Sequence, residues 1–258
     1  MIDNHHDRAV LITGGTSGVG LATAHRFAAA GVSRIALIGR NVERGKQACA
    51  AVRAAAPSAD VHFVPGDAGD PAQALAAATS ARDLLGGLDV LVNCTTAIYV
   101  PALLRDVAME DIAAMLTGQA LPPLHMCRAV LPWFAEQKSG VMINIASDAA
   151  KIPTPGETVL GGAMAAIVTF TRTLAVEAKR DGIRVNCVTP SLIEGTIIGE
   201  RAMAGGFSKK LFEKAKAQAH LGLTEPDDLA DLIVFLAGPG AARITGQVIS
   251  VNGGISVA

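Results

Sequence analysis

The stretch Thr13-Gly14-Gly15-Thr16-Ser17-Gly18-Val19-Gly20 follows directly on the apolar run Ala9-Val10-Leu11-Ile12 and leads into an alanine-rich segment, Leu21 to Ala30. A β-branched run that ends in glycines and opens a helix is the layout of a first βα turn. Glycine has no Cβ to hold a ligand off, so backbone N–H groups and the helix N-terminus can approach a pyrophosphate. A second strand-like run, Arg34-Ile35-Ala36-Leu37-Ile38, comes after one short turn at Gly31. Together these form the βαβ unit that such a glycine motif requires as its context. The pattern predicts an α/β fold and a bound dinucleotide, and leaves open what is done with it.

Further strand-like runs recur along the chain: Val61 to Val64, Leu88 to Val92, Val141 to Ile145, Ile183 to Val188 and Val248 to Val251. With the first two they make seven. Several are apolar almost throughout, as strands covered on both faces should be. Their alternation with helix-length segments predicts a doubly wound parallel sheet with helices on both faces. No linker or shift in composition divides the chain, so residues 1–258 are expected to form a single domain. The stretch 192–220 breaks the rhythm, with Gly195, Gly199, Gly205 and Gly206 before a lysine-rich helix, Ser208 to Ala219. Ligands of doubly wound sheets bind beyond the carboxyl ends of the strands, so this insertion is a candidate substrate lid. The segment Glu157 to Arg180, with Gly161, Gly162, Ala163, Ala165 and Ala166, reads as a helix buried all round, one face of which is suited to a second subunit.

Charge excludes some partners. Twenty-two basic residues against 23 acidic ones give no electrostatic reason to expect nucleic acid or an anionic membrane. No apolar run approaches the eighteen or so residues of a membrane span, and the polar start Met1 to Asp7 lacks the apolar centre of a signal peptide. A cytoplasmic protein is expected. Cys49, Cys94, Cys127 and Cys187 are scattered, which predicts free thiols, and the six histidines offer no metal-ligand spacing, so no metal is expected.

Over nearly its whole length the chain resembles the short-chain dehydrogenase/reductases. The resemblance is carried by Thr13 to Gly20 as TGxxxGxG, by Asp67 after the third strand, and by Asn93 after the fourth. It continues through Asn144-Ile145-Ala146-Ser147, Arg184-Val185-Asn186-Cys187-Val188-Thr189-Pro190, Ile244 to Gln247 and Asn252-Gly253-Gly254. It implies a Rossmann-type fold, in which Gly14, Gly18 and Gly20 cradle the pyrophosphate and Asp67 lies near the adenine. Thr16, Ser17 and Val19 of the turn, with Asn93 and Pro190, are counted with that cofactor site. Where an acidic residue would end the second strand to hold an NAD ribose, this chain has Gly39-Arg40. A guanidinium suits a 2′-phosphate, so the expected cofactor is NADP, with NAD as the alternative. The resemblance also implies homodimers or homotetramers built on the helices that include Glu157 to Arg180.

The catalytic positions depart from the family. Its members carry Tyr thirteen residues after the Ser matched by Ser147, and Lys four beyond; here stand Leu160 and Met164. The Asn of the preceding helix falls at Gln119, Asn93-Cys94-Thr95-Thr96 stands for NNAG, and Pro190-Ser191 for Pro-Gly. The string Leu160 to Ile167 resembles the enoyl-thioester reductase branch, whose register moves the tyrosine position to Glu157 and leaves Met164 at the lysine. Hydride delivery to a ketone creates an alkoxide, and a tyrosine protonates it near neutrality only when a nearby ammonium lowers its pKa from about 10. Neither Leu160 nor Met164 can serve. Ser147, Glu157 and Tyr99, the only tyrosine, are the remaining candidates: an oxygen-binding hydroxyl, a buried carboxylic acid and a cleft phenol. Three functions stay open. One is an NADP-dependent oxidoreductase of an activated C=C, C=N or C=O bond in a small molecule. The others are a silent nucleotide-binding partner or sensor, and a dehydratase or isomerase on the same fold.

Overall fold

The structure is a computed structural model that describes residues 7–196 and 206–258. Its centre is one sheet of seven strands, all parallel, in the order β3-β2-β1-β4-β5-β6-β7. The strands are β1 Ala9–Thr13, β2 Arg34–Gly39, β3 Asp60–Pro65, β4 Val90–Asn93, β5 Gly140–Ile145, β6 Ile183–Pro190 and β7 Val248–Val251. The helices between them are α1 Gly18–Ala29, α2 Val42–Ala55, α3 Pro71–Leu85, α4 Asp111–Glu136, α5 Thr158–Ala178, α6 Gly206–Gln218 and α7 Pro226–Ala237.

The continuous apolar runs become strands because both faces of the sheet are covered. Along β1, Ala9 and Leu11 join the core beneath α3, α4 and α5, while Val10 and Ile12 join the core beneath α1, α2 and α7. Each of the four is fully buried. Side-chain alternation with a period of two, apolar on both faces, explains why these runs carry no polar positions. Local signals set several helix ends. Asp70 accepts from the Gln73 N–H at 2.8 Å to start α3, Pro71 follows it, and Gly86 ends the helix in the left-handed region at φ 65°.

Three expectations need correction. Helix α1 begins at Gly18, inside the glycine motif, because glycines 18 and 20 belong to its first turn. Helix α5 is not buried all round: Gly162, Ala166, Thr169, Thr173 and Val176 face solvent, while Ala163, Met164, Ile167 and Leu174 face the core. The segment Thr158–Asp181, which holds an 18-residue window with a mean hydropathy of 1.6, is also long and apolar enough to cross a membrane by length and composition, contrary to the reading of the runs. It packs against α4 and β6 as a core helix does. Of the 192–220 insertion, residues 197–205 lie outside the described residues, and the helix within it runs from Gly206 to Gln218.

Candidate functional site

In this strand order the connection direction reverses between β1 and β4, and the crevice beyond their carboxyl ends is where open α/β sheets bind ligands. A cleft of about 810 Å³ lies there. One wall is the turn from Gly14 to Gly20. Gly14 has φ 63°, and a Cβ on it would stand 2.7 Å from the Cys94 carbonyl oxygen; one on Gly20 would stand 2.4 Å from that of Gly14. Only glycines let the turn fold this closely against β4 and α1. The first intrahelical bond runs from Leu21 N–H to the Ser17 carbonyl at 3.2 Å. The N–H groups of Gly18, Val19 and Gly20 therefore precede the helical ladder, beside a cleft that these residues line with Thr16 and Ser17. The cradle fits a pyrophosphate.

Arg40 lines the same cleft at the end of β2, with Nη1 3.7 Å from Asp67 Oδ2. Its side chain is 77% exposed, so this pair is weak and leaves the guanidinium free to turn to a ligand. Asp67 also accepts from Gly69 N–H at 2.8 Å, which shapes the loop after β3. Sequence reading missed Arg44. It sits in the first turn of α2, lines the cleft, and donates from Nε to Thr16 Oγ1 at 3.2 Å. Its signal was available: it stands four residues beyond Arg40 at the start of the helix that follows β2.

Asn93 does not line the cleft. It is buried, donates to Asn144 Oδ1 at 2.9 Å and accepts from Thr13 Oγ1 at 3.3 Å, so its amide ties β1, β4 and β5 together beneath the site. Gln119, at the family's Asn position, is a brace as well. It accepts from Thr96 Oγ1 at 2.8 Å and donates to the Ala97 carbonyl at 2.9 Å, fixing the loop after β4. Pro190 lines the cleft at the end of β6, followed by Ser191, Leu192 and Ile193.

The other end of the cleft carries the reactive candidates. Ser147 Oγ accepts from Ala149 N–H at 3.2 Å, which leaves its hydroxyl proton to donate to a ligand oxygen. Glu157, the N-cap of α5, and Leu160 and Met164 within the helix all line the cleft. Burial raises the Glu157 carboxyl from its ordinary range to about 7, against the opposing effect of a hydrogen bond with Thr154. Tyr99 also lines the cleft, but its hydroxyl donates to the Gly156 carbonyl at 2.6 Å. Burial and the neighbouring Glu157 raise its pKa, so it is a poorer acid than an ordinary phenol. Through this bond Tyr99 forms a wall that joins two loops.

A buried ion pair, unmarked in the sequence, backs Ser147. Asp148 lies 3.6 Å from Lys151 Nζ and accepts from Ser250 at 3.0 Å and Ser256 at 2.8 Å, and also from Asn252. It fastens the loop after β5 to the C-terminal segment, whose Ile255 and Ser256 line the cleft. Overhead, α6 contributes Leu211, Phe212 and Ala215 to the lining. A Cβ on Gly156, which has φ 86°, would stand 2.5 Å from the Phe207 ring. None of the four cysteines is in a disulfide, and burial pushes the Cys94 thiol beside the cleft up to about 12.

Comparison with known proteins agrees with this fold. The family described as enoyl-(acyl carrier protein) reductase matches residues 14–256. The chain is 31% identical to 4-formylbenzenesulfonate dehydrogenase TsaC1/TsaC2 of Comamonas testosteroni, over 98% of this chain and 100% of that protein. Among solved structures, levodione reductase is similar with a TM-score of 0.90 and 27% identity, covering 96% of this chain and 97% of that one. An NAD+-bound xylitol dehydrogenase gives a TM-score of 0.90 at 25% identity, covering 98% of this chain and 100% of that one.

Proposed function

We propose that this chain, which belongs to the short-chain dehydrogenase/reductase family, is an NADP-dependent oxidoreductase of an activated double bond that works without the family's tyrosine and lysine. The observation that carries this reading is the continuity of the cleft. One space of about 810 Å³ joins the glycine turn, Arg40 and Arg44 to Ser147, Glu157 and Leu160. Kinship with an NAD+-bound dehydrogenase supports a nicotinamide dinucleotide in that space. Two arginines near the tip of β2, with no acidic residue ending the strand, support the 2′-phosphorylated form.

Bound there, the dinucleotide would supply hydride. The chain's own part is binding, exclusion of water and handling of charge. The N–H groups of Gly18 to Gly20 hold the pyrophosphate, and Arg40 with Arg44 hold the 2′-phosphate. Leu160 and Met164 keep water from the reacting centre, and Ser147 donates to a substrate oxygen when there is one. Glu157, its carboxyl raised to about 7 by burial, is about half protonated at neutrality and so can give up a proton and regain it. Helix α6 serves as the lid over this end.

A second reading, nucleotide binding without turnover, draws on Leu160 and Met164 themselves, which offer no proton and no positive charge. NADPH deuterated at C4 separates the two when mixed with ketone, enone and imine acceptors. Deuterium in a reduced product supports the oxidoreductase; tight binding without transfer supports the silent protein; no binding contradicts both. The proposal also includes a homodimer or homotetramer built on the exposed face of α5, where Gly162 and Ala166 permit close approach. Light scattering that finds a monomer would remove that part.

A further inference from the structure

The reading of the cleft as an oxidoreductase site can be taken one step further, to the substrate, and the step rests on that reading. Glu157 is the N-cap of α5, three residues before Leu160, and both side chains line the cleft. A carboxyl group therefore lies next to the position from which the family's proton donor is missing. No cation among the described residues forms an ion pair with Glu157. The cleft's other charged side chains are remote, engaged or exposed. Arg40, Arg44 and Asp67 belong to the β2 and β3 end, separated from β5 by β1 and β4. Asp148 is paired with Lys151, and Lys214 stands exposed on α6.

Such a site suits one kind of charge. Reducing a ketone leaves an alkoxide and reducing an enone leaves an enolate. Both negative charges would develop between Leu160, Met164 and a carboxyl group, with the Ser147 hydroxyl as a donor lining the same cleft. A protonated imine behaves in the opposite way: it is a cation that hydride neutralises, so no oxyanion ever forms. Its burial beside apolar side chains requires an anion, which Glu157 supplies.

We infer that the acceptor is a C=N bond, taken as its iminium cation and paired with the Glu157 carboxylate. A neutral imine entering the cleft receives the Glu157 proton on nitrogen. Hydride from the reduced nicotinamide dinucleotide adds to the imine carbon, and the π pair moves to nitrogen. The products are an amine, the oxidised dinucleotide and a Glu157 carboxylate, which regains its proton from water. The raised carboxyl pKa of Glu157 agrees with this exchange, since it lies near the range in which simple imines protonate.

The test compares three five-membered-ring acceptors, pyrroline, cyclopentenone and cyclopentanone, with NADPH and the full-length chain. It adds calorimetric binding of the permanent cation dimethylpyrrolidinium to the NADP+-loaded protein. Pyrroline should be preferred at least about tenfold in kcat/KM, and Glu157→Gln should lower that value about a hundredfold. The same substitution should weaken dimethylpyrrolidinium about tenfold while leaving NADPH affinity unchanged, and Glu157→Asp, which keeps the charge, should retain most of both. Reduction of cyclopentenone or cyclopentanone in preference to pyrroline overturns the inference and leaves the oxidoreductase reading standing. Cation binding that ignores Glu157→Gln overturns the inference in the same way. NADPH binding with no turnover of any acceptor overturns both.

Discussion

The phenolic hydroxyl of Tyr99 donates to the carbonyl oxygen of Gly156 at 2.6 Å, so the chain's only tyrosine fastens the loop after β4 to the loop that leads into α5. The same carbonyl accepts from Ala102 N–H at 3.0 Å. A buried bond of this kind contributes about 0.5–1.5 kcal/mol, and its loss leaves an acceptor that still has one partner. Tyr99→Phe is thus expected to lower stability by about 1 kcal/mol in urea denaturation and to change turnover less than about threefold. A collapse of turnover with stability intact would place Tyr99 among the proton donors.

Gly20→Ala places a methyl group 2.4 Å from the Gly14 carbonyl oxygen, a backbone atom that cannot swing aside. The glycine turn must open to admit it, which should cost at least about 1–3 kcal/mol. Thermal melting should show the loss, and an NADPH titration should show affinity falling further than stability does, because the distorted N–H groups are those that face the ligand.

Leu160 and Met164 both line the cleft, and Met164 also packs in the core with Ile167, Val168 and Cys187, so new side chains there reach the site at some cost in packing. Restoring the family's pair, Leu160→Tyr with Met164→Lys, should create ketone reduction where the natural chain has little. A general acid typically contributes about a hundred- to ten-thousand-fold. Assay with a simple aromatic ketone measures the gain, and an unchanged rate would mean that more of the site than these two residues differs from its relatives.

Stability should depend on pH through Glu157. Its carboxyl is raised from 4.5 to about 7 by burial, so the folded protein holds this proton more tightly than the unfolded chain. The contribution is complete below the unfolded value, declines as pH rises toward the folded value, and is constant above it. Denaturation at intervals from acid to mildly alkaline pH should show a loss of up to about 2–3 kcal/mol across that window. Glu157→Gln should flatten this slope.

The sheet and the cradle were legible because their signals are local. Apolar runs such as Ala9 to Ile12 and glycines such as Gly14 and Gly20 announce their surroundings by what they lack. The polar braces were not legible. Asn93 and Asp67 both match family motifs, yet one is buried within the sheet beneath the site and the other lines the cleft, a difference set by strand pairing and loop path. Lys151 meets Ser250 across the fold, a contact between residues far apart in the chain. The burial of α5 was overestimated because its small residues serve two purposes: Ala163 packs inward, while Gly162 and Ala166 face solvent.

The central claim, a cleft built for a 2′-phosphorylated dinucleotide, is tested most directly by parallel fluorescence titrations with NADPH and NADH. These use the natural chain and the Arg40→Ala, Arg44→Ala double variant. Each charge-assisted contact is worth about 1.5–3 kcal/mol, so NADPH should bind at least about tenfold more tightly than NADH, and the double variant should erase that preference while leaving NADH affinity unchanged. Equal affinities in the natural chain, or no binding of either dinucleotide, would contradict the account.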